Sequence, residues 1–549
     1  MTEESSVRIE IVEPEDRPGL ALDAALRGAA RRHSGTLALI DPPNRPALGA
    51  GEARFVTYAD ADRIVGRIAG HLRSRGLVPG DVVALQLPNL SESVLMLYGC
   101  WRAGLIACPL SLMWRENELH HALPQINPRA VVTFGAFASH DHAETLRQAV
   151  ARHMSVRHIF GLGTDVHDGI TPIAPWFDMD PPAAPSLTAG EAGEDRTAVM
   201  TWAASPSGPY PVPRRHKELA ALASAFAGEL GLTARDTVLN AYPLTAVHAV
   251  AQFCAAVKAG ARTALHAPFD YGVFVRQLNE TGATYTAVPA AVIDAMDRRN
   301  EFRGPASRLA RIGCVWPAPH IASRAGEPPL PVFDIHALGE IGVFVRARRP
   351  GMWPRHLPLG KWNPRGAEAG SAPCIETRVR GTVRSGTGSR TLAGNLLIRG
   401  AGVPHAPFTV AGALAEALLV PDAQGFLDTG FHARVDEQSP GSFVCDRSPE
   451  IFYHGGTAVA ASELDRLYSD YPGFLDAAAF ALEDPVMGER IFAAVIPRPD
   501  LSLSLETFRL YLAGKGVAPF KAPDRIVVVR SIPRRPDGTV VREGLLSQV

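Results

Sequence analysis

A chain of 549 residues is too long for one hydrophobic core and has a length that roughly two to four domains share. With 46% hydrophobic and 20% charged residues it is globular material, and 55 basic against 56 acidic side chains exclude a nucleic-acid footprint or a polybasic membrane surface. The six cysteines (100, 108, 254, 314, 374 and 445) show no paired spacing, which predicts free thiols in a reducing compartment, without disulfides or a zinc site. The start, Met1-Thr-Glu-Glu-Ser-Ser6, lacks the basic and apolar regions of a secretion signal. No apolar run approaches the ~20 residues of a membrane helix, so a cytoplasmic protein is expected.

In chain order, Thr57-Tyr-Ala-Asp60 leads into apolar positions Ile64, Val65, Ile68, Ala69 and Leu72, the spacing of a helix with Thr57 or Asp60 as N-cap. A buried strand is predicted at 82–87, a helix at 91–103, a strand at 105–109, a polar helix from Arg115 and a strand at 130–133. His140-Asp-His142 reads as a solvated loop, because a metal pair needs a third ligand. After residue 216 the alternation resumes, with helices at 220–230, 246–259 and 271–280 and strands at 237–240, 262–265 and 285–288. This rhythm predicts α/β layers with a mostly parallel sheet. From 366 to 394 the Gly, Ser, Thr and Arg content predicts a meander of short strands, with 395–399 the clearest. The last hundred residues read as a compact α+β unit, with helices at 462–468 and 505–513 and strands at 477–481, 492–496 and 525–529.

Between the two alternating halves lies Thr201-Trp-Ala-Ala-Ser-Pro-Ser-Gly-Pro-Tyr-Pro-Val-Pro-Arg-Arg-His216. A phosphate cradle needs converging backbone N–H groups and a lysine. This segment has one glycine, Gly208, among prolines that have no N–H to donate. By itself it reads as a Pro-rich loop, with Arg214 and Arg215 as a solvated pair.

Other runs carry a family resemblance: Thr57-Tyr58, Gly80-Asp-Val-Val83, Leu87-Pro-Asn89, Ala103-Gly104 and Pro109-Leu110 near the start. Gly455-Gly456, Val459, Ser462-Glu-Leu464, Asp484-Pro485, Gly488-Glu489, Lys521 and Pro533-Arg534 continue it to the end. In this order they resemble the adenylate-forming superfamily of acyl-CoA synthetases. The resemblance implies a large N-terminal acyl-adenylate-binding domain (1–447) of layered α/β subdomains with a β-rich subdomain. It also implies a small, mobile α+β C-terminal domain (448–549). Family members join a carboxylate to ATP to give acyl-AMP, after which the small domain swings and the thiol of coenzyme A displaces AMP.

Aligned with the family, the residues serving ATP are missing. Ser207 and Gly208 remain in the degenerate phosphate loop, but Tyr210 stands at its lysine, and Thr539 stands at the C-terminal lysine that follows Gly538. The Tyr-Gly-x-Thr-Glu motif reads His336-Ala337-Leu338-Gly339-Glu340, keeping the glutamate for Mg²⁺ but not the hydroxyl. The ribose-holding aspartate is Phe431, and the turn beside adenine is Trp316-Pro317-Ala318-Pro319. One lost charge donor costs about 3–4 kcal/mol of transition-state stabilisation, so losing two lysines predicts negligible adenylation.

The thiol side keeps its features. Gly455 and Gly456 match the pair that lets the pantetheine chain approach, Arg447 matches an arginine at the acyl-adenylate, and the hinge position is Pro449, whose fixed φ resists swinging. Thr245 and Ala246 replace an aromatic–His pair of the acyl pocket, with His248 close by, which leaves room for a bulky, terpenoid-like acyl group. The resemblance therefore implies a non-adenylating acyl-CoA ligase of natural-product biosynthesis. It would use coenzyme A as co-substrate, need neither ATP nor a metal, and receive its acyl-adenylate from a separate adenylating enzyme. The alternatives are a complete but unusual ATP-dependent synthetase recruiting Arg214 or Arg215, and an inactive acyl-nucleotide-binding protein.

Overall fold

A computed structural model describes residues 21–163, 166–183, 193–304, 306–321, 328–349, 354–386, 389–404, 420–436, 441–499 and 504–546. The N-terminal segment read above for a secretion signal lies outside them. Among the described residues no helix is long and apolar enough to cross a membrane.

The alternating halves form two mostly parallel sheets, one of eight strands and one of seven. Their strand ends are tied together by Asn89, whose Nδ2 donates to the carbonyls of Asn240 (2.9 Å) and His266 (3.3 Å). Local rules account for the helices between them. The Thr57 hydroxyl caps helix Tyr58–Ser74 by accepting from the Asp60 N–H at 3.1 Å, and the apolar positions Ile64, Val65, Ile68, Ala69 and Leu72 are buried. A third, six-stranded sheet is antiparallel. The region predicted as a meander of short strands is instead one long hairpin, Ile375–Gly386 against Ser389–Arg399. His140–Asp141 is a short strand and His142 opens helix His142–Val150, where it is buried, so this pair is not a solvated loop.

The Pro-rich segment is the largest departure from expectation. It is no loop: strand Thr197–Ser205 pairs antiparallel with strand Gly208–Arg215 across a two-residue turn. Proline is tolerated because this second strand is the edge of the seven-stranded sheet. Pro209, Pro211 and Pro213 are two residues apart, so their missing N–H groups fall on one side. The intervening residues face the partner strand instead.

The chain beyond residue 450 builds its own sheet and two apolar clusters, around Phe452, Leu464, Tyr468 and Phe508 and around Phe480, Val529 and Ile532. It docks on helix Glu116–Ile126 through a buried charge group. The Lys521 ammonium, 2% exposed, binds Glu118 Oε1 at 2.8 Å and Glu463 Oε1 at 2.6 Å. Glu118 Oε2 accepts the N–H groups of Ala518 (3.0 Å) and Arg115 (3.1 Å), and the Asn117 N–H donates to the Gly516 carbonyl at 2.9 Å. Burial works against the lysine's charge, but the two glutamates outweigh it and hold its pKa above the ordinary lysine value.

Removing one partner from a buried charge group leaves the others uncompensated, at about 3–5 kcal/mol. Lys521→Met should therefore lower the urea midpoint markedly. Adding Glu118→Leu and Glu463→Leu should recover most of the loss. Unchanged unfolding of the single variant would show that the group contributes nothing to docking.

Candidate active site

Arg214, on the edge strand, points inward and is fully buried. Its guanidinium donates to the carbonyls of Gly402 (2.7 Å), Glu340 (2.8 Å) and Ile341 (2.7 Å). The expected solvated arginine is thus committed to backbone through both terminal nitrogens, while its buried Nε has no hydrogen-bond partner among the described residues. Arg215 is partly exposed and reaches Asp195 at 3.5 Å and Glu218 at 3.8 Å. Tyr210, on the same strand, is buried in the main apolar cluster. The turn of this hairpin is held by Ser205, whose hydroxyl donates to the Gly208 carbonyl at 2.7 Å and lies 3.1 Å from the Ser207 hydroxyl. Gly208 has φ +124° and packs on His121, where a Cβ would come within 2.9 Å of the ring.

Glu340 meets this arrangement from the next subdomain. Its Oε2 accepts the Val247 N–H at 2.8 Å, the first turn of helix Val247–Ala259, whose N-cap is Ala246. Burial raises its carboxyl pKa to about 7, against the lowering effect of that N–H. The same segment supplies Thr245 and Leu244 to a small cavity of about 20 Å³, otherwise lined by Leu85, Leu87, Ser93, Leu97 and Pro109. His248, one turn on, is buried with its ring edge-on to Tyr242 at 4.8 Å, and burial holds its pKa down at about 4. Arg214, Glu340 and the 244–248 segment are therefore gathered in one place.

The nucleotide side is buried, and both His336 ring nitrogens lack a hydrogen-bond partner among the described residues. The Trp316 indole donates to Asp334 Oδ1 at 2.9 Å, and Asp334 is paired with Arg348 at 2.6 Å. His336 stacks on Trp316 with centroids 6.4 Å apart and, like Ala318, Ala337 and Leu338, is buried. Gly339 turns the chain with φ +55°. Phe431 packs in the main cluster, and its N–H donates to the Thr429 hydroxyl at 3.2 Å.

The glycine pair of the thiol side and Thr539 of the ATP side lie apart. The glycine hairpin, Ile451–His454 against Thr457–Ala460, packs on strand Thr197–Ser205, so Gly455 and Gly456 lie on the active-site side. Both have positive φ (+58° and +81°), which this two-residue turn demands of glycine whatever approaches it. Thr539 sits in an exposed turn bonded to Asp537 (2.6 Å), and the neighbouring Arg534 pairs with Asp476 inside the small domain. Arg447 Nε is bound to Glu489 at 2.7 Å, while Pro449 follows two residues later between the sheets.

The family resemblance implies Mg²⁺, with Glu340 as its protein ligand. One Glu340 oxygen accepts the Val247 N–H, and among the described residues no group of three or more His, Cys, Asp or Glu could hold a metal ion without help from a substrate phosphate. Sequence reasoning missed Glu118 and the pairing of Glu463 with Lys521, because the partners are 403 and 58 residues from the lysine.

Comparison with known proteins agrees with this geometry. The family model for "AMP-binding enzyme" matches residues 27–404. A salicyl-AMP ligase / salicyl-S-ArCP synthetase of Mycobacterium tuberculosis is 28% identical, covering 97% of this chain and 91% of its own. A 2-hydroxy-7-methoxy-5-methyl-1-naphthoate–CoA ligase of Streptomyces carzinostaticus is 24% identical over 96% of this chain and 93% of its own. Among solved structures, o-succinylbenzoate CoA synthetase from Bacillus subtilis, bound with a product analogue, has a TM-score of 0.71 at 19% identity and covers 95% of this chain and 98% of its own.

Glu340 carries a pH signature. A carboxyl whose folded pKa is raised from 4.5 to about 7 binds more protons folded than unfolded, so its contribution is fully present below pH 4.5 and is lost as pH rises to about 7. Glu340→Gln should gain stability relative to the parent between these pH values, on the order of 3 kcal/mol at 1.36 kcal/mol per pH unit. A pH-independent difference in urea unfolding would contradict this.

Proposed function

The chain belongs to the AMP-binding enzyme family, and we propose that it performs one half of that family's two-step reaction: acyl-AMP plus coenzyme A gives acyl-CoA plus AMP. The observation that carries the reading is the docked small domain. The glycine hairpin lies against the Pro-rich hairpin, Thr539 is turned away, and Lys521 is buried between Glu118 and Glu463. We take residues 1–447 as the acyl-adenylate domain and 448–549 as the small domain that brings Gly455 and Gly456 to the thiol path.

Acid activation presses a carboxylate against a triphosphate and needs positive charge at both. Here Tyr210 is core, Thr539 is uncharged and distant, and Arg214 is consumed by three carbonyls. Thiol attack on a mixed anhydride asks mainly for positioning. We assign Trp316, Ala318, His336 and Phe431 to the adenylate side, and the small cavity beside Thr245 marks the acyl side. The division of labour is like that of the non-adenylating ligase of platensimycin and platencin biosynthesis. On this reading a separate adenylating enzyme acts upstream.

The test is a paired assay. Adamantane-1-carbonyl-AMP, benzoyl-AMP and decanoyl-AMP are each given with coenzyme A; the matching free acids are given with ATP, Mg²⁺ and coenzyme A. Thioester is expected from the adenylates alone. Product from the free acids would favour a complete synthetase, and product from neither set an acyl-nucleotide-binding protein. Tyr210→Lys with Thr539→Lys should leave free acids unreactive, since Glu340, Phe431 and the docked domain still oppose activation; strong activity in that double variant would show that the two lysines alone were missing.

A further inference from the structure

His320 lies in the short turn of helix Pro319–Ile321, directly after the Trp316–Pro319 stretch on the nucleotide side. Both its ring nitrogens are buried and have no hydrogen-bond partner among the described residues. Buried polar atoms are almost always paired, so two bare nitrogens on one imidazole ask for a partner that the described residues do not supply. The ring faces the small domain: its centroid is 5.9 Å from that of Tyr453, inclined at 64°. The neighbouring Ile321 side chain packs toward Gly488, where a Cβ would lie 3.6 Å from its Cδ1, and the preceding Met487 carbonyl holds the Gly455 N–H at 2.9 Å. His320 thus stands between the 316–319 stretch and the small-domain strand that carries the glycine hairpin.

We propose that His320 receives the thiol of coenzyme A, accepting its S–H hydrogen bond and taking the proton as sulfur attacks. This rests on the thioester-forming reading above. In the step the S–H bond breaks with its proton passing to the imidazole, the sulfur–acyl carbon bond forms, and the carbon–oxygen bond to phosphate breaks with its electron pair leaving on AMP. The imidazolium then returns its proton to solvent.

The groups facing His320 fit this role. Arg447, held by Glu489, is the nearby charge, and the Tyr453 hydroxyl is kept protonated by burial. Burial first, then Arg447, hold the His320 pKa down at about 4, so the ring is neutral and free to accept at physiological pH. The bound adenylate's phosphate charge acts in the opposite sense and favours the imidazolium as the proton arrives.

The experiment follows thioester formation from adamantane-1-carbonyl-AMP and coenzyme A between pH 6 and 9.5 for the parent and His320→Leu. At pH 7 kcat should fall on the order of 10²-fold while the KM values for both substrates stay close to the parent's. The deficit should shrink as pH passes the ordinary thiol pKa of about 8.5, because a thiolate needs no acceptor. Added imidazole should restore rate to His320→Gly, which keeps the inference testable if the leucine variant folds poorly. An unchanged kcat, or a deficit of equal size at every pH with no imidazole rescue, overturns the inference while leaving the half-reaction standing. Absence of thioester from the parent overturns both.

Discussion

A single ammonium buried between two carboxylates holds this architecture together. Lys521, Glu118 and Glu463 are almost wholly withdrawn from water, and such a group is tolerated only where the geometry is good and the remaining lone pairs are satisfied. The Ala518 and Arg115 N–H groups meet that condition for Glu118. Because Glu118 belongs to the large domain and the other two to the small one, the requirement fixes how one sits on the other. A rotated small domain would strand Glu118 in an apolar wall. The glycine hairpin is on the active-site side for this reason, and Thr539 is elsewhere.

Around that constraint the two sides of the cleft differ in kind. On the ATP side, groups that would face a triphosphate are turned to structural use: Arg214 to three carbonyls, Glu340 to the start of helix Val247–Ala259, Tyr210 to the core. Bare buried nitrogens occur on both sides, at His336 and Arg214 as well as at His320. A triphosphate site needs preorganised charge. A thioester site needs space and alignment. On the proposed reading, the chain keeps the second and has turned the first to packing.

Much of this was legible in the residues, and what was not has definite causes. Helices such as Tyr58–Ser74 and Val247–Ala259 are local objects, written in apolar spacing and in the residues at their ends. The Pro-rich strand was misread because proline excludes a central strand but not an edge, and edge position is a property of the whole sheet. Arg214 was read as solvated because nothing near it in sequence announces Gly402 or Ile341 as partners. The glycine pair was found through resemblance, and its positive φ values explain the residue type without recourse to any ligand. His320 carried no signal at all until its surroundings were seen.

The central claim is that acid activation has been given up, and ATP–pyrophosphate exchange tests it most directly, since exchange reports acyl-adenylate formation without needing the thiol step. Measured with Mg²⁺ and a panel of free acids from benzoate to adamantane-1-carboxylate, exchange should stay at the level seen without acid. Acid-dependent exchange at a rate comparable with thioester formation from the synthetic adenylates would contradict the account.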